Sequence, residues 1–317
     1  KAREINKAHT TFIDTILRYE HKGRIHADIN QIRSDQGGTV TGRFSYSNPN
    51  LQQIPARNKD LGPLIRSLFV PESGCEWGCF DYSQQEPRLV VHFAATTAGI
   101  KEDNSVKEIV DNYSNNDIDF HKTVADMAGI SRLQAKTINL GLFYGMGKAK
   151  LQAELGLSTK QEAEALFNQY HDRVPFVRDL MNETSRWASR EGEIRTLLGR
   201  GCRFNKWEPA QFGMHTPMTW EDAVKKYGEN RIRRAFTYKA LNKLIQGSAA
   251  DMTKKSMLDL YKEGIIAHIQ IHDELDLSVE SKEHANKIIE IMENAVKLTV
   301  PNKVDYESGK NWGDIYD

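Results

Sequence analysis

Two strand signals far apart in the chain, each carrying an aspartate at its end or turn, constrain the fold more than anything else in the sequence. Residues 77–81 read as a short apolar strand closed by Asp81. Residues 265–271 and 275–279 alternate apolar with polar around His272-Asp273-Glu274, the pattern of a hairpin with Asp273 at its tip. Helical periodicity fills most of the chain between them, over 86–98, 121–128, 132–155, 159–172, 175–190 and 231–262. Strands drawn from distant parts of a chain with long helices between them predict an α+β fold. A helix over 5–19, a strand near 25–29, an irregular polar loop over 33–60, a helix over 281–298 and a last strand at 303–307 complete the pattern. An insertion-like stretch, 205–229, breaks the helical run.

With 39% apolar and 27% charged residues in 317, the chain can bury a real core and is too apolar for disorder. No apolar run reaches the roughly 18–20 residues of a membrane span, and no signal peptide opens the sequence. A membrane-free protein in the cytoplasm is therefore expected. The first residue, Lys1, points to an excised or processed chain. Cys75, Cys79 and Cys202 are too few for a disulfide framework. Cys75-x-x-x-Cys79 lacks the second ligand pair of a zinc finger. Net charge is zero, but it is laid out in blocks. Residues 231–262 hold 8 basic and 2 acidic residues, whereas 263–317 hold 5 and 12. Such blocks suit solvated helix faces, and equally a polyanion groove beside metal-holding carboxylates.

Two carboxylates brought side by side repel each other unless they share a cation. Mg²⁺ takes carboxylate and phosphate oxygens, and two ions about 3.5–4 Å apart serve in-line phosphoryl displacement. Turn aspartates also bond their own backbone, so the pair alone leaves both readings open. Arg132, Lys136, Leu140 and Tyr144 recur every four residues on one helix face, with His121 preceding them. This ladder suits a solvated stripe, or a triphosphate followed by a base. Gly145, Gly147 and Lys148 do not make a phosphate-binding loop of the Walker type, because the glycine spacing fails and Ala149 stands where Ser or Thr is needed.

Together these segments resemble the polymerase region of family A DNA polymerases, the bacterial DNA polymerase I family and its phage relatives. Asp81-Tyr82-Ser83-Gln84-Gln85-Glu86-Pro87-Arg88 resembles its motif A, Arg132-x-x-x-Lys136 through Tyr144-Gly145 its motif B, and His272-Asp273-Glu274 its motif C. Thr41-Gly42-Arg43-Phe44-Ser45, Pro49 through Pro55 with Arg57, Asn242-x-x-x-Gln246-Gly247 and Gly309 through Gly313 match further segments in family order.

The resemblance implies a palm-and-fingers fold, with an antiparallel palm sheet, long helices and most of the thumb absent. It divides the chain into an N-terminal palm portion (1–98), mainly fingers (99–190) and a C-terminal palm portion (191–317). It implies DNA synthesis on a primer–template from dNTPs, with two Mg²⁺ ions (Mn²⁺ as a substitute) held by Asp81, Asp273 and the Tyr82 carbonyl, and Glu274 as an auxiliary acid. His121, Arg132 and Lys136 would hold the triphosphate, with Lys136 a proton donor to pyrophosphate. Leu140, Tyr144, Gln84 and Glu86 would line the nucleotide, Glu86 as the gate against a 2′-hydroxyl. Arg43, Asn50, Gln52, Arg57, Asn242, Gln246 and His272 would contact the duplex, where minor-groove acceptors common to all base pairs report pair shape.

The pattern departs from the family at Leu140, where Phe or Tyr is usual, at Gln85 and Pro87 in motif A, and at Tyr238, where bacterial relatives commonly carry Arg. Residues 239–246 look phage-like, which places the expected enzyme in a host cytoplasm. Without exonuclease and thumb segments, no proofreading is expected from this chain, and an upstream thumb region or accessory replication proteins are the expected partners. Three other readings compete: a primer–template-binding fragment without catalysis, a single-subunit RNA polymerase relative, which Glu86 opposes, and a metal-dependent nuclease, which would leave the Arg132–Tyr144 ladder without a purpose.

Overall fold

In the computed structural model of the chain, every residue is described except 1–5, 7, 8, 35, 36, 56, 57, 59, 116, 117, 144–147, 212 and 317, and side chains also except 140, 142, 143, 148, 149 and 316. The chain divides into two units, one formed by 1–85, 249–297 and 302–317, the other by 86–248 and 298–301.

The first unit is built on a four-stranded antiparallel sheet of β1 (Glu76–Tyr82), β2 (Ile269–Ile271), β3 (Glu274–Val279) and β4 (Val304–Gly309), in the order β2-β3-β1-β4. The strand carrying Asp81 thus lies centrally, between the motif C hairpin and the final strand. Alternation along each strand separates two faces. Phe80, Tyr82, Leu275, Leu277 and Val304 turn one way and are buried, with Phe80 stacked on Tyr306 at 4.7 Å between ring centroids. On this face the Tyr82 hydroxyl meets Ser256 Oγ (2.6 Å) and the Met292 carbonyl. Gly78 is obligatory here, because a Cβ would stand 2.5 Å from Val279 Cγ2. Helix Lys282–Asn294 is capped by Ser281 Oγ, which accepts from the His284 N–H, and buries Ala285, Ile288 and Met292 at helical spacing.

Toward the other end of the sheet, Trp77 and Cys79 enter a second apolar cluster with Ile16, Tyr46, Leu51, Ile65 and Trp312. Trp312 is fully buried, stacked on Trp77 and met edge-on by Phe69, with the Arg66 guanidinium 4.3 Å from its ring centre. The C-terminal tail therefore locks the strand that bears Asp81.

The second unit is mainly helical. Its principal elements are α1 (Phe120–Ala128), α2 (Arg132–Phe143), α3 (Lys160–Arg173) and α4 (Pro175–Glu191). Asp119 caps α1 through the Lys122 N–H, Thr159 caps α3 through the Glu162 N–H, and Pro175 opens α4 where a missing N–H costs nothing. Of the helix expected over 132–155, Arg132–Phe143 (α2) and Lys148–Glu154 are helical, and 144–147 lie outside the described residues.

The helix expected over 231–262 is corrected: it runs only Ala240–Lys262. Residues 231–239 instead contain strand Ile232–Arg234, paired with Trp207–Pro209, and a 3₁₀ turn. The cause is tertiary. Arg234 donates to the Ser189 and Phe204 carbonyls (3.2 and 3.0 Å) and lies 4.6 Å over the Trp207 ring. Phe236 then takes φ +64°, which no right-handed helix accommodates. The insertion-like stretch is ordered around helix Trp220–Tyr227. Near the N-terminus a π-helical stretch, His9–Ile13, runs into the α-helix Asp14–Tyr19, with 1–5, 7 and 8 outside the described residues, and the polar loop contains strand Ser45–Ser47. Among the described residues, no helix is long and apolar enough to cross a membrane.

Candidate active site

Antiparallel pairing gathers carboxylates on one face of the sheet. Asp81 lies opposite Glu274 on one side and Asp305 on the other, and one rung along, Cys79 lies between Asp276 and Glu307. Asp273 joins Asp81 because the turn before β3 folds over the end of β1, where the Tyr82 N–H donates to the Asp273 carbonyl (3.3 Å). Both turns are conformationally special. His272, first residue of the His272–Asp273 hairpin turn, has φ +57°, and Gln84, just beyond Asp81, has φ +53°. A non-glycine residue there stores about 1–3 kcal/mol, a burden found where geometry serves a site.

The electrostatics follow from the crowding. The Asp81 carboxyl is pushed up to about 8, by loss of hydration first and then by Asp273, Glu274, Asp305 and Glu307. Asp273 is raised by burial, against the opposing pull of its own backbone, Arg43 and His272. The residue as a whole keeps contact with solvent while its carboxyl is crowded by protein, and the charge repulsion is the part of its burden a cation would remove. Oxygen donors that repel each other at an open edge fit hard divalent cations.

Deeper, potential ligand atoms of Cys79, Glu274 and Asp276 lie within 4.8 Å of one another. Asp276 is fully buried, and its Oδ1 accepts from Trp77 Nε1 (3.2 Å) and the Cys79 thiol. Burial pushes it up to about 6, against the hydrogen bonds from Cys79, Glu274 and Trp77. Asp276, Asp305 and Glu307 escaped the sequence reading. The i, i+2 spacing of Asp305 and Glu307 on an expected strand was the available signal.

Around the motif C turn, Arg43 and His272 stand near Asp273, lining a small recess with Phe44, Lys254 and Gln270. Gln52 Nε2 donates to the Gln270 carbonyl (3.2 Å), and Gln270 Nε2 to the His272 carbonyl (2.6 Å), which ties the upstream segment to the hairpin. Asn50 Oδ1 accepts from the Gln52 N–H and caps a 3₁₀ turn. These two residues therefore shape the backbone next to the site. Arg57 lies outside the described residues.

In the second unit, α1 and α2 bring His121, Arg132 and Lys136 together. Arg132 and Lys136 are exposed and His121 half-buried. Burial first, then the charges of Lys136 and Arg132, push the imidazole down to about 4, with Asp119 opposing. Arg132 Nη2 pairs with Asp119 at 2.6 Å, a partner the spacing rule did not reveal because it lies on the preceding helix cap. Leu140 continues the same helix in backbone, while its side chain and Tyr144 lie outside the described atoms. Glu86 occupies the first turn of helix Gln85–Thr96, as the sequence predicts despite Pro87. Asn242 and Gln246 are half-buried on one face of Ala240–Lys262.

The chain as a whole is similar to known proteins. The model of DNA polymerase family A matches residues 1–314. The chain is 35% identical to a DNA-directed DNA polymerase of Pseudomonas phage M6, over 99% of this chain and 50% of that protein. It is 34% identical to the thermostable DNA polymerase I of Thermus filiformis, over 98% and 35%. Among solved structures it resembles the polymerase domain of Pol1 from M. smegmatis in complex with DNA primer-template and dNTP, with TM-score 0.77, 29% identity, 99% of this chain and 53% of that one. The chain spans about half the length of the phage relative or less of the bacterial one. With residues 1–314 of 317 matched, the chain belongs to DNA polymerase family A.

Proposed function

We propose that this chain is the polymerase region of an enzyme that extends a primer 3′-hydroxyl from dNTPs on a DNA template, with release of pyrophosphate. The observation supporting this reading is the juxtaposition of Asp81 at the end of β1 and Asp273 in the adjoining turn, where loss of hydration and then the neighbouring carboxylates push Asp81 up to about 8. Asp81, Asp273 and the Tyr82 carbonyl are the groups that would hold two Mg²⁺ ions, Mn²⁺ substituting, with Glu274 beside them. When bound, such ions favour the nucleophilic form of the 3′-hydroxyl and offset charge on the leaving pyrophosphate.

The protein's own residues supply position and charge. Arg132 and Lys136 take the phosphates, Lys136 also as proton donor to pyrophosphate, and His121 adds a ring donor. Arg132 exchanges Asp119 for the triphosphate as it does so. Gln84, Leu140 and Tyr144 line the nucleotide, and Glu86 fills the space of a 2′-hydroxyl. Arg43, Arg57, Asn242, Gln246 and His272 meet the duplex, with Asn50 and Gln52 supporting that surface. The first unit carries the palm function and the helices around α2 the fingers function.

An upstream thumb region, or accessory replication proteins, would supply the duplex grip. Its setting is a phage-infected host cytoplasm, by analogy with the Pseudomonas phage relative. Primer extension on a templated duplex with Mg²⁺ tests the reading. Templated addition of dNTPs supports it, and duplex binding without addition in the full-length protein refutes it.

A further inference from the structure

His121 is held at its Nδ1 by a buried polar chain that the phosphate-binding role does not require. Nδ1 lies 3.1 Å from Nδ2 of Asn139, a fully buried residue on α2. The other end of that amide is also fixed, because the hydroxyl of Tyr170, fully buried on α3, donates to Asn139 Oδ1. An amide whose oxygen accepts from Tyr170 turns its NH₂ toward the imidazole, and an NH₂ group only donates. Nδ1 must then accept, which leaves the ring proton on Nε2.

We propose that Asn139 and Tyr170 are positioning residues that fix His121 as the neutral Nε2–H tautomer, so that it meets the incoming triphosphate as an uncharged donor. This rests on the proposed role of His121 at the triphosphate.

The surroundings agree with the geometry. Among the described residues, the charged groups that bear on the ring are Asp119 from the cap of α1 and Arg132 and Lys136 from α2, while α3 contributes the Tyr170 hydroxyl. Asp119 is itself engaged by Arg132 and by the backbone of α1, so it is poorly placed to draw a second proton onto the imidazole. Burial and the two cations then keep the ring neutral across physiological pH. The benefit is constancy. Arg132 and Lys136 already bring two fixed charges, and an imidazolium that came and went near neutrality would make nucleotide affinity depend on pH and hold pyrophosphate as well as substrate.

The test uses the full-length polymerase with ¹⁵N-labelled histidine, long-range ¹H–¹⁵N spectra and steady-state kinetics from pH 6 to 9. The parent should show His121 protonated at Nε2 alone and a nucleotide KM flat with pH. Asn139→Asp preserves shape but substitutes an acceptor, so it should draw the proton to Nδ1 and move the His121 titration upward by about one pH unit or more. Its KM should become pH-dependent while kcat changes less. Tyr170→Phe, which removes only a hydroxyl, should give mixed tautomers and raise KM by about tenfold. An Nδ1–H tautomer in the parent, or unchanged tautomer and pH profile in both folded variants, would overturn the proposal. His121→Ala separates the two levels. Unchanged nucleotide KM there removes His121 from the triphosphate, and the spectra alone then judge whether Asn139 and Tyr170 set its tautomer.

Discussion

Replacing Asp81 by asparagine should stabilise the metal-free protein at alkaline pH, even as it removes a proposed ligand. The Asp81 carboxyl has lost hydration and shares its sheet face with Glu274, Asp305 and Glu307 and the end of its strand with the Asp273 turn, and its pKa rises from 3.8 to about 8. The folded protein therefore binds more protons at this site than the unfolded chain between about pH 4 and 8, so stability falls as pH rises through that window. Undamped, such a shift corresponds to on the order of 6 kcal/mol at 1.36 kcal/mol per pH unit. Because Asp81 is exposed and water screens it, the realised cost is about 1–3 kcal/mol.

The neutral variant escapes that cost. Thermal unfolding in EDTA should place it roughly 2–10 °C above the parent at pH 9, with the gap closing toward pH 4. Mg²⁺ should raise the parent's transition and narrow the difference. A variant no more stable than the parent at pH 9, or an advantage that persists unchanged at pH 4, would refute the claim that these carboxylates strain one another.

Three further outcomes are expected. Lys136→Ala should lose turnover on the order of 10²–10³-fold, because its charge meets developing charge on pyrophosphate. Arg132→Ala should mainly raise nucleotide KM, and single-turnover kinetics with both unchanged would remove α2 from the site. Glu86→Ala should admit ribonucleotides, read as the ratio of ribo- to deoxynucleotide incorporation; an unchanged ratio would place the gate elsewhere. Trp312→Ala should cost about 3–5 kcal/mol in denaturant unfolding, since the ring is fully buried against Trp77, Phe69 and Arg66.

The carboxylate strands were legible because their signal is local. Alternation around His272-Asp273-Glu274 defines a hairpin whatever surrounds it, and an apolar strand ending in Asp81 needs a buried position. Register was not legible. That Asp305 would stand beside Asp81, and Glu307 beside Cys79, depends on how β4 docks, which no spacing within 303–307 specifies. Residues 231–239 misled for the opposite reason. Their local pattern is helical, but Arg234 gains more from two carbonyls and the Trp207 ring than a helix there could offer. Asn139 lies off the Arg132–Tyr144 face and carries no signal in its spacing. Its meaning lies in Tyr170 on α3, a partner whose distance in sequence hides it from any helical periodicity.

The most direct measurement of the central claim is single-turnover incorporation of one correct nucleotide by Asp81→Asn and Asp273→Asn in the full-length protein, with Mg²⁺ and a primer–template whose binding is followed in parallel. The expected result is loss of incorporation in both variants with duplex affinity nearly that of the parent, because each substitution removes charge from the shared carboxylate edge and leaves the surface formed by Arg43 and His272 in place. Incorporation near the parental rate by either variant would contradict the assignment of that edge as the site of catalysis.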